Sequence, residues 1–194
     1  MKSEKYKCFD IEIVRDEISF NPRDEVGTKI GTLAVVNNRY FLGDETVTKD
    51  TVTDILNDDG LISIPVYAYV HGDVKLSTKD FADRFDSGMA GVIYVDKSDN
   101  DYINSYNSNE ELVKEALRGE VEEYSRYLSG DVLGYVIRLN GECIDSCWGF
   151  YDTFENVLIQ AKEAADCIDV ESCTIIIPDN NSGIGKEVCN GFKN

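Results

Sequence analysis

Basic residues are scarce in this sequence, which has 19 lysines and arginines against 37 aspartates and glutamates among 194 residues, a formal net charge of −18. Nucleic-acid binding normally needs a basic footprint, and a strongly negative field repels DNA, RNA and anionic membranes. We therefore exclude direct nucleic-acid recognition and membrane binding. The same imbalance favours a partner that offers a basic surface.

Histidine is almost absent, since His71 is the only one. A serine or cysteine nucleophile usually needs a histidine base, and a lone histidine before a predicted turn at Gly72 is more typical of a structural or exposed position. We assign no catalytic residue, predict no cofactor and expect a binding protein. The alternative is a hydrolase that holds a metal of unknown identity with clustered carboxylates, for which the candidates are Asp86, Glu120, Asp131 and Asp145.

Long apolar runs are also missing. No stretch of about 18 apolar residues occurs, and the N-terminal MKSEKYKCFDIEIV lacks the apolar core of a signal peptide. We therefore expect a soluble, cytoplasmic protein. The six cysteines form no C-x-x-C pair and include apolar settings such as SCTIII, so we expect free, mostly buried thiols and no zinc site.

Short β-branched or aromatic runs, bounded by Gly, Asn or Asp, predict seven strands. They cover 9–14, 29–36, 61–70, 89–96, 131–139, 142–150 and 173–178. Asn140 and Gly141 separate the fifth strand from the sixth. This pair predicts a hairpin with a type I′ turn, because that turn needs a positive φ at both central residues.

Helical periodicity is clearest from Glu110 to Leu128, where apolar residues recur every three or four positions after a Ser108…Glu111 capping box. Further helices are predicted over 153–167, capped by Asp152, and over 49–57. Strands in neighbouring pairs, without regular βαβ alternation, favour an α+β fold with a largely antiparallel sheet packed with two or three helices. We expect one domain over 1–194, with two lobes divided near 98–107 as the alternative.

Carboxylates are concentrated in the C-terminal half, because residues 101–194 carry 18 acidic and 7 basic groups. In the predicted long helix, Glu111 and Glu115 share one side at a spacing of roughly 5–6 Å, Glu120 and Glu123 form a second such pair, and Glu122 is expected to face elsewhere. These residues and one that follows the helix are the predicted partner-binding set: Glu111, Glu115, Glu120, Glu122, Glu123 and Asp131.

Average charge density limits how closely such a protein imitates DNA. A folded chain of this mass exposes roughly 9,000 Å², or about 500 Å² per net charge, whereas B-DNA carries one charge per roughly 100 Å². A DNA mimic therefore requires the excess charge to gather on one face. The alternative is an acidic surface that only maintains solubility.

Three ordered sequence blocks resemble a group of acidic proteins from bacteriophages and mobile elements. The blocks are RFDSGMAGVIYVDK, LRGEVEEYSRYLSGDVLGYVI and DSCWGFYD, where the group has W-D-S-G-Q-V-G-x-I-Y-V, R-G-E-V-E-x-Y-x-x-Y-L-x-G-D-V and D-S-C-W-G-F-Y. The match spans about 60–152, with Phe85 in place of the usual Trp and Met89-Ala90 in place of Gln-Val. The group is uncharacterised, so the resemblance implies an origin rather than a mechanism.

The phage association of this group implies a role against host defence. We accordingly predict an anti-restriction or anti-CRISPR inhibitor that occupies the basic, DNA-binding surface of a host nuclease in the cytoplasm of an infected or lysogenic bacterium. A third hypothesis is a pocket that sequesters a nucleotide signal by stacking, although an acidic field opposes phosphates. Its candidate residues are Asp86, Tyr94, Tyr124, Tyr127, Asp145 and Trp148.

Overall fold

The structure, a computed structural model, describes residues 2–24, 29–36, 42–83, 85–99, 105–106 and 109–169. Nine strands and three helices lie in these ranges. They are β1 (Lys2–Tyr6), β2 (Phe9–Arg15), β3 (Thr32–Val36), β4 (Glu45–Val47), α1 (Lys49–Leu56), β5 (Leu61–His71), β6 (Asp73–Ser77), β7 (Ser87–Asp96), α2 (Glu110–Leu128), β8 (Leu133–Leu139), β9 (Glu142–Phe150) and α3 (Phe154–Asp166). The predicted α+β class is confirmed. The predicted strand 173–178 lies outside the described residues.

The strands form two sheets, not one. The four-stranded sheet has the order β1-β2-β8-β9 and is antiparallel throughout. The five-stranded sheet has the order β4-β3-β7-β5-β6 and is antiparallel except for its parallel β3–β4 pair. The N-terminal hairpin therefore pairs with strands from the second half of the chain, while 32–96 supply the other sheet. The number of domains stays a prediction.

Helices α2 and α1 cover opposite faces of the five-stranded sheet. Leu117 and Val121 of α2 are buried against a cluster that includes Leu33, Ile64 and Ile93. Val52 of α1 packs in a separate buried cluster that contains the strand residues Ala34 and Val92. Successive strand residues point to opposite faces, so strand neighbours such as Leu33 and Ala34 enter different clusters.

Helix α3 covers one face of the four-stranded sheet. In β2, the fully or nearly fully buried Phe9, Ile11 and Ile13 alternate with partly exposed residues. They pack against a helix face that includes Val157 and Ala161. The Trp148 side chain, discussed below, lies on the opposite face of this sheet from α3.

Both of the longer helices are capped one residue later than the sequence predicted, although α2 begins at Glu110 as expected. The N-cap of α2 is Asn109, whose side chain accepts a hydrogen bond from Glu111 N at 3.0 Å, and the N-cap of α3 is Thr153. Asparagine and threonine cap helices about as well as serine and aspartate, so the neighbouring candidates could not be separated by residue type. The predicted turn is confirmed, with φ of 52° at Asn140 and 89° at Gly141.

The prediction of mostly buried thiols is wrong for the described cysteines. Cys8, Cys143, Cys147 and Cys167 are free and exposed. Two of them lie on β9, which is an edge strand. Cys173 and Cys189 lie outside the described residues. Among the helices that the structure describes, none is long and apolar enough to cross a membrane.

Candidate partner-binding surface

The outer side of α2 carries three of the six predicted carboxylates. Glu111, Glu115 and Glu122 are exposed. The prediction that Glu122 faces elsewhere is wrong, because the 11 residues from Glu111 to Glu122 make close to three full turns of helix. Arg118 is exposed on the same stripe, and Lys114 Nζ lies 3.1 Å from Glu111 Oε1. These cations divide the stripe, so α2 by itself presents no continuous acidic face.

The Glu120 carboxylate has its hydrogen-bond partners inside the protein. Only 12% of its side chain is exposed, and its Oε2 accepts a hydrogen bond from Arg23 Nη1 at 2.9 Å. Its Oε1 accepts from the backbone N–H of Ile30 at 2.6 Å and of Gly31 at 3.2 Å. This carboxylate therefore fixes α2 to the segment before β3, and we leave it out of the partner-binding surface.

Arg23 is the centre of this buried network, which no pattern in the sequence indicated. Its side chain is 4% exposed and donates to both carboxylate oxygens of Asp44, as well as to the carbonyl of Gly31 at 2.6 Å. Lys29 Nζ also donates to Asp44 Oδ1 at 2.7 Å. Burial opposes ionisation of Asp44, but the hydrogen bonds from Arg23, Leu33 N and Lys29 outweigh it and hold its pKa below the usual value.

Two more of the predicted carboxylates have partners within the chain. Asp131 Oδ1 accepts a hydrogen bond from Arg15 Nη2 at 2.8 Å, and Asp131 Oδ2 accepts from Ser129 Oγ at 3.4 Å. Glu123 is partly buried and also interacts within the protein. Neither residue adds an uncompensated charge to the outer side of α2.

A denser group of carboxylates lies at one end of the five-stranded sheet, where α1 and β7 end and β5 and α2 begin. Leu61 pairs with Asp96, and Lys97 N donates to the Gly60 carbonyl at 3.0 Å. Lys97 Nζ lies 2.9 Å from Glu110 Oε1, which ties β7 to the start of α2. We call this end the acidic end. The name covers the exposed carboxylates of the segments that meet there and of the first two turns of α2: Asp58, Asp59, Asp96, Asp99, Glu110, Glu111 and Glu115.

Lysines and a serine contact the carboxylates of the acidic end. A polar depression of about 330 Å³ lies there, lined by Asp58, Asp59 and Glu110 together with Lys97 and Lys114. The hydrogen bond from Lys97 lowers the pKa of the Glu110 carboxyl. Hydrogen bonds from Ser98 similarly lower the pKa of Asp96. In both cases the hydrogen bond favours the charged form of the carboxyl group.

The predicted aromatic pocket does not form. Tyr94 packs against the α1 side of the five-stranded sheet and donates from its hydroxyl to Glu45 at 2.9 Å. Tyr124 is buried on the α2 side, where it stacks on Tyr127 with ring centroids 6.1 Å apart. Trp148 belongs to the four-stranded sheet. The candidate stacking residues therefore lie on different surfaces, and Tyr124 is already covered.

The predicted metal-binding carboxylates do not come together. Glu120 pairs with Arg23 and Asp131 with Arg15. Asp145 lies on β9 and accepts from Ser146 N at 2.8 Å. In the part of the chain that the structure describes, no three His, Cys, Asp or Glu side chains are grouped closely enough to hold a metal ion. This set is not a metal centre.

Asp86, the remaining candidate, pairs with the single histidine. His71 Nδ1 lies 3.0 Å from Asp86 Oδ2, and 73% of the His71 side chain is exposed. The neighbouring Ser87 hydroxyl donates to the carbonyl of Asp83 instead of approaching the imidazole. Among the described residues, no nucleophile is hydrogen-bonded to His71, so the pair lacks the third member of a catalytic triad.

Comparison of the chain with protein-family models, curated proteins and solved structures gives no match. The resemblance to the phage group rests on the three sequence blocks and stays a prediction. In the structure, the first block forms β7, the second runs from α2 into β8, and the third lies in β9 and the residues that follow it.

Proposed function

We propose that this protein is an inhibitor that binds, through its acidic end, the basic, DNA-binding surface of a host restriction or CRISPR nuclease. One observation supports this proposal above the others. The acidic end contains seven exposed carboxylates, from the turn between α1 and β5, from β7 and the turn after it, and from the first two turns of α2, together with the cations Lys97 and Lys114. These nine residues carry seven negative and two positive charges, a net charge of −5, and this concentration of carboxylates supports the proposal.

Hydrogen bonds within the protein also hold the acidic end in place without a partner. Asp58 Oδ1 accepts a hydrogen bond from Gly60 N at 2.8 Å, and Asp96 Oδ1 accepts from Ser98 N at 2.7 Å. Glu110 and Glu111 belong to the first turn of a capped helix. Carboxylates on a fixed backbone lose little conformational entropy on binding, and a concentrated negative field speeds the encounter with a basic surface.

The test is a comparison of two variants that have the same net charge. The first carries Asp58→Asn, Asp59→Asn, Glu111→Gln and Glu115→Gln at the acidic end. The control carries Asp73→Asn, Asp80→Asn, Glu142→Gln and Glu163→Gln, which are exposed residues outside it. Each protein is tagged and used to capture proteins from bacterial lysate at low and high salt. Captured nucleases are then purified and titrated for DNA binding.

We expect the wild-type protein and the control to retain a DNA-binding nuclease at low salt and to displace its DNA stoichiometrically. The acidic-end variant should lose at least about tenfold in affinity, since neutralising several charges of an interface weakens attraction along the whole patch. Equal loss in both variants would show that only total charge matters and would refute docking through this end. Undiminished inhibition by the acidic-end variant would refute it as well.

A further inference from the structure

Three large apolar side chains, Ile18, Phe20 and Trp148, are exposed around one groove beside the four-stranded sheet. The exposed fractions are 83% for Ile18, 74% for Phe20 and 49% for Trp148. The groove measures about 470 Å³, and Arg15, Asp16 and Glu17 complete its lining. Single exposed apolar residues are ordinary on protein surfaces, whereas a cluster of them in a concave site is typical of an interaction site.

The backbone of the four-stranded sheet is irregular beside Trp148. The register between β8 and β9 shifts between Leu133 and Tyr135, opposite the tryptophan. Gly149, the next residue, has φ of +82°. Gly134 is buried, and a Cβ there would lie 2.3 Å from Trp148 Cε3, so the indole rests directly on the sheet backbone. A β-bulge with glycines changes the direction in which a side chain points. Here one side of the indole packs on the sheet backbone and the rest is exposed.

The segment that carries Ile18 and Phe20 is anchored at several points. Asp16 N donates to the Val132 carbonyl at 2.8 Å, and Ile18 N donates to Asp16 Oδ1 at 3.0 Å. The Tyr151 hydroxyl donates to the Phe20 carbonyl. Three residues further on, Arg23 enters the buried network described above. The backbone is therefore held while the two apolar side chains point outward, and the groove exists without a partner.

The net charge around the groove is negative. Arg15 is neutralised by Asp131, with Arg15 Nη2 and Asp131 Oδ1 2.8 Å apart. Asp16 and Glu17 have no ion pair among the described residues. The groove thus combines an apolar floor with two uncompensated carboxylates at its edge. A complementary ligand is apolar at its centre and basic on its flanks.

We propose that this groove binds a short segment of the partner protein in which a large apolar side chain is flanked by lysine or arginine. The apolar side chain packs against Trp148 between Ile18 and Phe20, and the basic flanks pair with Asp16 and Glu17. Tryptophan in a preformed, partly enclosed site is a frequent centre of binding energy. This inference rests on the proposed function in taking the partner to be basic, but it assigns a second surface whose residues are separate from those of the acidic end.

Trp148 is the single tryptophan of the chain, so its fluorescence reports on this groove alone. The probe is a tryptophan-free peptide of about twelve residues with a Leu-Phe pair between Lys-Lys flanks. A second peptide has Ser-Ser in place of Leu-Phe. Each is titrated into the full-length protein, into the double variant Ile18→Ser/Phe20→Ser and into the control Ile159→Ser, which replaces an exposed isoleucine (54%) on α3.

We expect a saturable blue shift of the Trp148 emission with the Leu-Phe peptide, because the indole leaves water on binding. The double variant should bind at least about tenfold more weakly, and Ile159→Ser should bind like the wild type. Equal binding of the Ser-Ser peptide, or unchanged binding by the double variant, would overturn the proposal by showing only general charge attraction.

Two further outcomes would identify a different occupant and would also overturn it. Emission that shifts to the blue with protein concentration, without peptide, would indicate a second copy of the chain in the groove. Blue-shifted emission that dilution does not change would indicate that residues 170–194 already fill it. The variant neutralised at Asp58, Asp59, Glu111 and Glu115 should still bind the peptide, so failure here and failure of the acidic end are distinguishable.

Discussion

For single residues, the main finding is that side chains of the same type have different roles in the fold. Glu120 and Glu122 are two positions apart on α2, yet the first is 12% exposed and paired with Arg23, while the second is exposed. A buried guanidinium with two carboxylates is costly to desolvate and is strongly destabilised when one partner is removed. The Arg23 network is therefore where a single substitution should matter most.

Asp44→Asn tests the network through its pH dependence. The folded pKa of Asp44 lies below its unfolded value, so ionised Asp44 stabilises the fold above about pH 4, and this contribution disappears as the pH falls through the folded pKa. We expect the variant to lose about 2–3 kcal/mol of unfolding free energy at neutral pH. Its stability should also fall less steeply than that of the wild type in acid.

Urea unfolding measured from about pH 7 to about pH 3 checks this prediction. The matched control is Asp80→Asn, because Asp80 is exposed. It should follow the wild-type curve closely. Parallel curves for Asp44→Asn and the wild type at all pH values would contradict the assignment of acid sensitivity to this carboxylate.

At the scale of elements, α2 contains a glycine that its own packing does not require. Gly119 is exposed, and a Cβ added there would meet no heavy atom within 4 Å. It lies in a groove of about 500 Å³ between α2 and the end of β6, beside Arg118, Glu122 and Lys79. A close contact that would require a mid-helix glycine is therefore absent around Gly119.

Gly119→Ala should consequently stabilise the protein by about 0.5–1 kcal/mol, because alanine restricts the unfolded chain and favours the helix. Chemical unfolding measures the gain. Gly91→Ala is the opposing control, since a Cβ there would lie 2.0 Å from the Ala34 carbonyl oxygen and should destabilise the fold. A loss of stability in Gly119→Ala would mean that α2 is not an undistorted helix at this position.

At the scale of the whole molecule, a net charge of −18 acts on the fold as well as on partners. Like charges repel in the compact state, and salt weakens that repulsion within a Debye length of about 8–10 Å. Ion pairs such as Lys97 with Glu110 act in the opposite direction, but exposed pairs contribute little. Repulsion should therefore dominate the salt response.

The melting temperature should rise when NaCl is increased from about 20 mM to about 500 mM, by roughly 2–4 °C for each kcal/mol of repulsion relieved. The variant neutralised at Asp58, Asp59, Glu111 and Glu115 should melt higher than the wild type at low salt and respond less to salt. Differential scanning calorimetry provides the measurement. A melting temperature that falls with salt would show that attractive pairs, and not repulsion, control the stability.

The amino-acid sequence was sufficient to predict the α+β class, the helices around 49–57, 110–128 and 153–167, and the Asn140-Gly141 turn, because periodicity and turn chemistry are local properties. It missed β1, β4 and β6. Strand β1 is almost wholly exposed, and β4 has three residues, so neither shows an apolar alternation. The separation into two sheets was likewise beyond it, since pairing β2 with β8 joins segments more than a hundred residues apart.

Contacts in the folded protein determine which carboxylates belong to a common surface and which apolar residues are exposed together. Glu120 is internal because Arg23 and two backbone amides donate hydrogen bonds to it. Asp58, Asp96 and Glu110 are neighbours because four elements end or begin at one end of the five-stranded sheet. Trp148 lies beside Ile18 because a bulge between β8 and β9 turns it toward a distant loop. Charge totals are a property of the sequence, but charge density and surface shape depend on contacts between residues remote in the chain.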